Sequence, residues 1–371
     1  MVRYAQPSGC RKSRPACSTC KTYWVCVKPR QKPALHGRLH CSLPSFAFPM
    51  SRTLHVCLPL LAALLLTGLG SLLHDSGVSL HVLLHPSSLP ALESQLLWQL
   101  RLPRLLMAAC SGILLGCAGS AVQARFCNPL AEPGLLGIYS GAALAAALAL
   151  SLSAGLMAVS LAGFTGSVLA LCLLRALAGQ ANGGRLLLAG VAISTLLASL
   201  LTLLITTLPD GALRSVTFWL MGSYAGAQWQ QVGLMLLATP LVWLGLFRHW
   251  HLLNALQLGE AAAFHLGFDV RRGSWLIVLL ASMAAGVVVA SCGMIGFVGL
   301  LAPHLARLLL GSDARRLLLA APLFGAWLTV GADWLARSLL APAELPVGVI
   351  TSLLGAPFFL WLLRHAKDEH A

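Results

Sequence analysis

The side chains able to do chemistry in this sequence are few and scattered. The densest group lies near the start: Cys17, Cys20, Cys26, His36, His40 and Cys41, donors of the kind that hold zinc. Cys17-Ser-Thr-Cys20 is a CxxC without a second one, and the other spacings are irregular. Farther along there is no HExxH, no GxSxG with triad partners and no GxxxxGK[ST]. Nor do the apolar runs hold the paired carboxylates that proton-coupled transport uses. Asp333 is the one acid inside such a run, and it reads as an interfacial cap or as a partner for nearby Arg337. His304 reads as a satisfied polar residue rather than a metal ligand. Outside residues 1–49 the sequence thus supplies no catalytic set and no metal site, and if ATP drives anything here another subunit must bind it.

The elements around these residues belong to a membrane. The chain has 371 residues, is 58% hydrophobic and only 10% charged, with a mean hydropathy of +0.81; soluble domains carry roughly 25% charged residues. At about 20 residues per span it has room for about ten helices, and its 35 glycines suit close helix contact where lipid gives no hydrophobic drive. Ten apolar segments are predicted at 54–73, 103–124, 135–153, 155–178, 186–208, 231–247, 274–291, 293–310, 317–336 and 346–364. A shorter piece, Ser215 to Gly222, is too short to span and reads as re-entrant or interfacial. The fold class is all-α and polytopic.

Residues 1–49 differ from everything after them. They hold nine of the 25 Lys and Arg and no acid, and five of the 11 cysteines. Three readings stand: sequence upstream of a true start at Met50, a disordered basic tail, or a metal site. The remaining cysteines lie scattered and form no disulfide framework. Two domains are therefore expected, the extension at 1–49 and the membrane domain at 50–371. Most of the +14 net charge sits in the extension, so the rest needs no nucleic-acid partner.

With ten spans both termini share one side. Arg125, Arg175, Arg185, Arg248, Arg271, Arg272, Arg315, Arg316, Arg364 and Lys367 fall in one set of connections, which the positive-inside rule makes cytoplasmic. The other set holds Arg101, Arg104, Arg214 and Arg337 with Asp75, Glu93, Asp210 and Glu344. Arg101, Arg104 and Arg337 at outer helix ends read as snorkelling anchors or as a basic docking surface for an acidic external partner.

Three connections stand out. Arg125 to Ser140 carries Asn128-Pro129, Glu132 and Pro133-Gly134 between two long apolar runs; it is a plain interhelical turn or irregular backbone lining a pathway. Gln180-Ala-Asn-Gly-Gly184 is a flexible turn. Arg248 to Arg272 is the longest polar loop, broken at Gly259 and Gly267, and its short helix pair presents Leu256, Leu258, Phe264 and Leu266 to a partner or to the bilayer surface.

Read in order, Arg101-LPR, Asn128-PLAEPGLLG, Arg185-LLLAGV, Trp219-LMGS, Leu258-GE…HLG, Gly296-FVGLLAPHLARLL and Glu344-LPVGVITSLLGAPFFLWLL closely resemble the permease subunits of bacterial ABC importers for iron chelates and vitamin B12. The likeness covers about residues 52–365. It implies a type II ABC importer permease fold, a homodimer with the path between subunits, two cytoplasmic ATPase subunits that use ATP-Mg, and a periplasmic or lipid-anchored substrate-binding protein. No cofactor is bound by the permease itself. By the same resemblance Arg101, Arg104 and Arg337 meet glutamates of the binding protein. Asn128, Pro129 and Leu130, with Asn182, Gly183 and Gly184, line the gate. Leu258, Gly259, Glu260, His265, Leu266 and Gly267 couple to the ATPase. The vitamin B12 permease carries small hydroxyl residues where this chain has Gly183 and Gly184.

The function expected is import of an iron chelate, siderophore or haem, across the bacterial inner membrane, by a multi-pass subunit that is not itself an enzyme. Vitamin B12 is the alternative: Thr217-Phe-Trp-Leu-Met-Gly-Ser is similar to the iron members, Trp98 to Arg104 and the AEP of the central stretch to the vitamin B12 members. A secondary transporter or channel, the alternative from another class, would show intramembrane acids or ion-coordinating broken helices.

Overall fold

The computed structural model describes residues 50–73, 91–179 and 183–368. Residues 1–49, with the cysteine and histidine group expected there, and Asn182 of the expected gate lie outside the described residues.

Every regular element among the described residues is helical. The chain runs through α1 (Met50–Leu73), α2 (Ala91–Leu96), a π-helical turn (Leu97–Arg101), α3 (Leu102–Arg125), a 3-10 turn (Pro133–Leu136), α4 (Ile138–Ser151), α5 (Leu156–Ala178) and α6 (Gly183–Thr206). It continues through α7 (Asp210–Leu220), α8 (Trp229–Arg248), α9 (Trp250–Gln257), α10 (Glu260–His265), α11 (Val270–Cys292), α12 (Val298–Leu310), α13 (Ala314–Ser338) and α14 (Val347–Asp368). Seven of these stretches are long and apolar enough to cross a membrane, including Ser94–Arg125 as one. Three apolar helices are shorter, at Ile138–Ser151, Val298–Leu310 and Val347–Leu360. Each of the ten expected segments is found as a helix.

The centre is α3, whose run of small residues lets neighbours approach to backbone contact. It packs against α13, α11, α12 and α8. A Cβ on Gly112 would meet the backbone of Gly325 on α13, one on Gly116 the backbone of Ala321, and one on Gly119 the backbone of Gly299 on α12. Such small-residue notches are how helices associate in lipid, where dispersion and interhelical hydrogen bonds replace the hydrophobic drive. Thr329 adds one such bond, its hydroxyl donating across the interface to the Ala108 carbonyl at 2.7 Å. Gln231 on α8 donates to Ser160 on α5 at 2.7 Å, and Ser111 and Tyr224 share a buried hydroxyl pair.

Several boundaries differ from the expected ones, each for a local reason. The second span starts earlier than 103, because the π turn carries helix α2 into α3 past Pro103. Pro has no N–H to give and its ring crowds the carbonyl four residues back; a widened turn at that point relieves both. The expected 293–310 helix begins at Val298 instead, since Gly293 (φ 74°) and Phe297 (φ 65°) are left-handed. Gly293 must be bare there, as a Cβ would strike the Trp219 carbonyl. The segment expected at 135–153 becomes a 3-10 turn and a shorter helix joined at Gly137 (φ 82°). Ser215 to Gly222 is mostly the second half of α7, a helix packed on α4.

Candidate functional site

At the Arg104 end of the bundle, three elements bring cations together. Arg101 and Arg104 follow from the π turn and the first turn of α3, and Arg337 lies in the last turn of α13. With α3 and α13 antiparallel neighbours, the expected arginine trio does meet, around a cavity of about 380 Å³ that also includes Ser71, Asp333 and Glu344. Their partners are intramolecular. Arg104 forks onto Asp333, with Nε and Nη2 donating to Oδ1 at 3.0 and 2.9 Å, while Nη1 donates to Glu344 at 2.9 Å. Arg337 lies 3.5 Å from Asp333 and donates to the Ser71 carbonyl at 3.1 Å. Arg101 donates to the Leu72 carbonyl at 2.7 Å, at the end of α1.

Asp333 is thus neither a cap nor chiefly a partner for Arg337. Its side chain is 3% exposed and its main partner is Arg104, on another helix. A buried carboxylate of this kind survives only when paired and hydrogen-bonded, and a two-pronged guanidinium satisfies both conditions. Nearby, the Trp229 indole donates to the Trp98 carbonyl at 2.9 Å, tying the start of α8 to the π turn.

At the Arg125 end, the expected gate residues and coupling residues converge. Arg125 is buried at the end of α3 and donates from Nη1 to Glu260 at 2.8 Å, the first residue of α10. Its guanidinium also lies 5.5 Å from the Phe126 ring centroid. A Cβ on Gly183 would come within 3.4 Å of Arg125 Nη1 and 3.9 Å of Glu260 Oε1. Those are ordinary van der Waals distances, so Gly183 lies against the ion pair without being required to be bare; Gly184 faces open space. The Cys127 thiol donates to the Leu256 carbonyl at 2.9 Å, a second tie between the same two loops. Asn128 shapes its own turn, its Oδ1 accepting from the Leu130 N–H at 2.9 Å; Pro129 is exposed, and Asn128 and Leu130 are half-buried. Glu132 accepts at 3.0 Å from the N–H of Phe297, the residue that precedes α12 as its N-cap. Burial pushes the Glu132 carboxyl up from its ordinary range, and that hydrogen bond pulls it partly back.

The loop between α9 and α11 has the expected break at each glycine, Gly259 at φ 101° and Gly267 at φ 87°. Leu258, Phe264 and Leu266 are exposed, 72%, 69% and 62%. Leu256 is not presented as expected: it is buried, because α9 packs against α3 and α13. A cavity of about 990 Å³ opens beside this loop, edged by Arg125, Glu260, Phe264, His265, Asp269 and Arg271. Asn254 fixes α9 in place by donating to Asp313 at 2.8 Å and accepting from the Ala314 N–H at 2.7 Å, at the N-terminus of α13.

In the sequence Arg125 stands as a cytoplasmic charge at the head of the central stretch, without its partner, and Glu344 and Asn254 have no role. A basic residue directly before a Pro-broken loop was the available signal for Arg125; the others have none short of knowing which helices touch. Among the described residues there is no group of three or more His, Cys, Asp or Glu able to hold a metal ion.

The model of the FecCD transport family matches residues 58–365. The vitamin B12 import system permease protein BtuC of Vibrio cholerae is 44% identical over 289 residues, 76% of this chain and 87% of that protein. The hemin transport system permease protein HmuU of Yersinia pestis is 42% identical over 284 residues, 73% and 84%. BtuC of Yersinia enterocolitica is 41% identical over 276 residues, 73% and 82%. A solved metal-chelate type ABC transporter in an inward-facing conformation superposes with a TM-score of 0.76 at 32% identity, covering 84% of this chain and 99% of that one.

Proposed function

The chain belongs to the FecCD transport family, a non-catalytic multi-pass ABC-importer permease for an iron-chelate or cobalamin type of substrate, and from that premise we propose that its cargo is cobalamin. The observation that carries the choice is similarity: two of the three relatives above are vitamin B12 permeases, one of them at 44% identity. This departs from the iron-chelate reading of the sequence. Haem stays as the second reading because HmuU lies close behind at 42%.

The remaining parts of the reading rest on the resemblance of the sequence motifs. Two copies of the chain in the bacterial inner membrane enclose the path, with both termini and the Arg125 end in the cytoplasm. Arg101, Arg104 and Arg337 form the external surface that receives a periplasmic or lipid-anchored binding protein. Exposed Leu258, Phe264 and Leu266 with Glu260, His265 and the flanking glycines enter a cleft of each of two ATPase subunits, which hold the ATP-Mg. Asn128, Pro129, Leu130 and the 182–184 turn form the inner gate. What supports this is that the gate loop is bound to the ATPase-facing loop through Arg125–Glu260 and Cys127–Leu256. Motion of the coupling loop thereby reaches the gate directly.

The test is uptake by proteoliposomes holding this chain with its ATPase and binding protein, offered labelled cyanocobalamin, haem and a ferric siderophore. ATP-dependent accumulation of cobalamin alone is expected. Accumulation of haem or siderophore instead would overturn the choice of cargo.

A further inference from the structure

We propose that Glu344 is an internal stand-in for the partner's carboxylate: it occupies Arg104 in the free permease and is displaced when the acidic binding protein docks. The inference rests on the docking role assigned above to the arginine trio.

The two carboxylates on Arg104 are unlike. Asp333 is 3% exposed, takes the Nε and Nη2 edge and is approached by Arg337 as well. It cannot leave without stranding two cations in a buried place, so it positions them. Glu344 is 45% exposed and holds only Nη1. It lies just beyond α13 in the connection to α14, where a side chain can turn out into water while Asp333 keeps the other edge of the guanidinium paired. Arg104 and Glu344 both line the open cavity, the direction from which a carboxylate on a partner must come.

The charge balance points the same way. Three guanidiniums, Arg101, Arg104 and Arg337, face two carboxylates around the cavity, leaving one positive charge in excess. With Glu344 turned away the excess doubles. Docking is therefore an exchange of one carboxylate for another on the same guanidinium, in which nothing buried is left unpaired. Glu344 keeps Arg104 satisfied between visits and makes the surface less attractive to unrelated anions, a form of discrimination by competition.

The experiment is binding of the importer's own substrate-binding protein to the complete permease–ATPase complex in nanodiscs, measured as association and dissociation rates at two salt concentrations. Glu344→Gln is expected to raise the association rate about 3- to 10-fold and to steepen its salt dependence, because the surface then carries a larger uncompensated field. Glu344→Asp, too short to span the same gap, is expected to fall between. Arg101→Glu with Arg104→Glu is the control for the underlying reading. If that pair abolishes binding while Glu344→Gln leaves it unchanged or weaker, the stand-in role is overturned and the docking role survives. If the arginine pair leaves binding intact, both fall.

Discussion

Neutralising Glu260 should damage the importer more than neutralising Arg125, although the two residues share one ion pair. The pair is short, 2.8 Å, and asymmetrically buried: the Arg125 side chain is 7% exposed and that of Glu260 39%. Glu260→Gln leaves a largely buried guanidinium, its Nε already lacking a partner among the described residues. Arg125→Gln leaves a carboxylate that water can reach. Breaking a fully buried pair costs about 3–5 kcal/mol and an exposed pair is worth about 0.2–1 kcal/mol. With one partner half in water, the coupling between the two falls between these, at about 1.5–2 kcal/mol. That is about 10- to 30-fold in any equilibrium the tie biases. The assay is a double-mutant cycle in the reconstituted importer, with the ratio of cargo moved to ATP hydrolysed as readout and the Glu260→Gln, Arg125→Gln double variant as the fourth corner. Glu260→Gln is expected to lower that ratio several-fold while ATP hydrolysis continues, Arg125→Gln less so. Refutation is additivity: if the effects of the two single changes sum in the double within about 0.3–0.5 kcal/mol, the pair transmits nothing. Equal damage from the two single changes would refute the burial argument.

Gly325→Ala should unseat α13 from α3, since its Cβ would enter the backbone of Gly112; overpacking of this kind costs about 1–3 kcal/mol, read as a lower unfolding temperature of the purified chain. Gly331→Ala on the same helix meets nothing within 4 Å and should leave that temperature unchanged. Glu132, whose carboxyl burial pushes up, favours the protonated form in the fold. Its contribution is therefore present at acid pH and lost as pH rises from the ordinary carboxylate range through its raised value. Glu132→Gln keeps an acceptor for Phe297 and should flatten that decline in a pH series of thermal unfolding; an unaltered slope would assign the decline elsewhere.

The helices were legible from the sequence because a bilayer imposes length and apolarity on every crossing, so hydropathy alone locates them. What it cannot see is backbone geometry within an apolar stretch. Gly293 to Phe297 is as apolar as the helices flanking it, and only the structure shows that Phe297 turns left-handed against Glu132. Nor does a pattern along one helix say which helix it faces. Asp333 had Arg337 one turn away, and the sequence offered that as its partner; the antiparallel packing of α3 brought Arg104 to it across 229 residues. Leu256 resembled its exposed neighbours for the same reason. Its burial is decided by where α9 lies, which no local pattern records.

Helix α3 carries Arg104 in its first turn and Arg125 in its last, about 31 Å apart at the rise of an α-helix. Between them its glycines rest on the backbones of α12 and α13. On the proposed reading such a rod acts as a strut, carrying a push at one end to the other as displacement. The docking surface and the ATPase-facing loop of that reading are then joined by one element, and a load on the arginine cluster reaches the Glu260 tie along it.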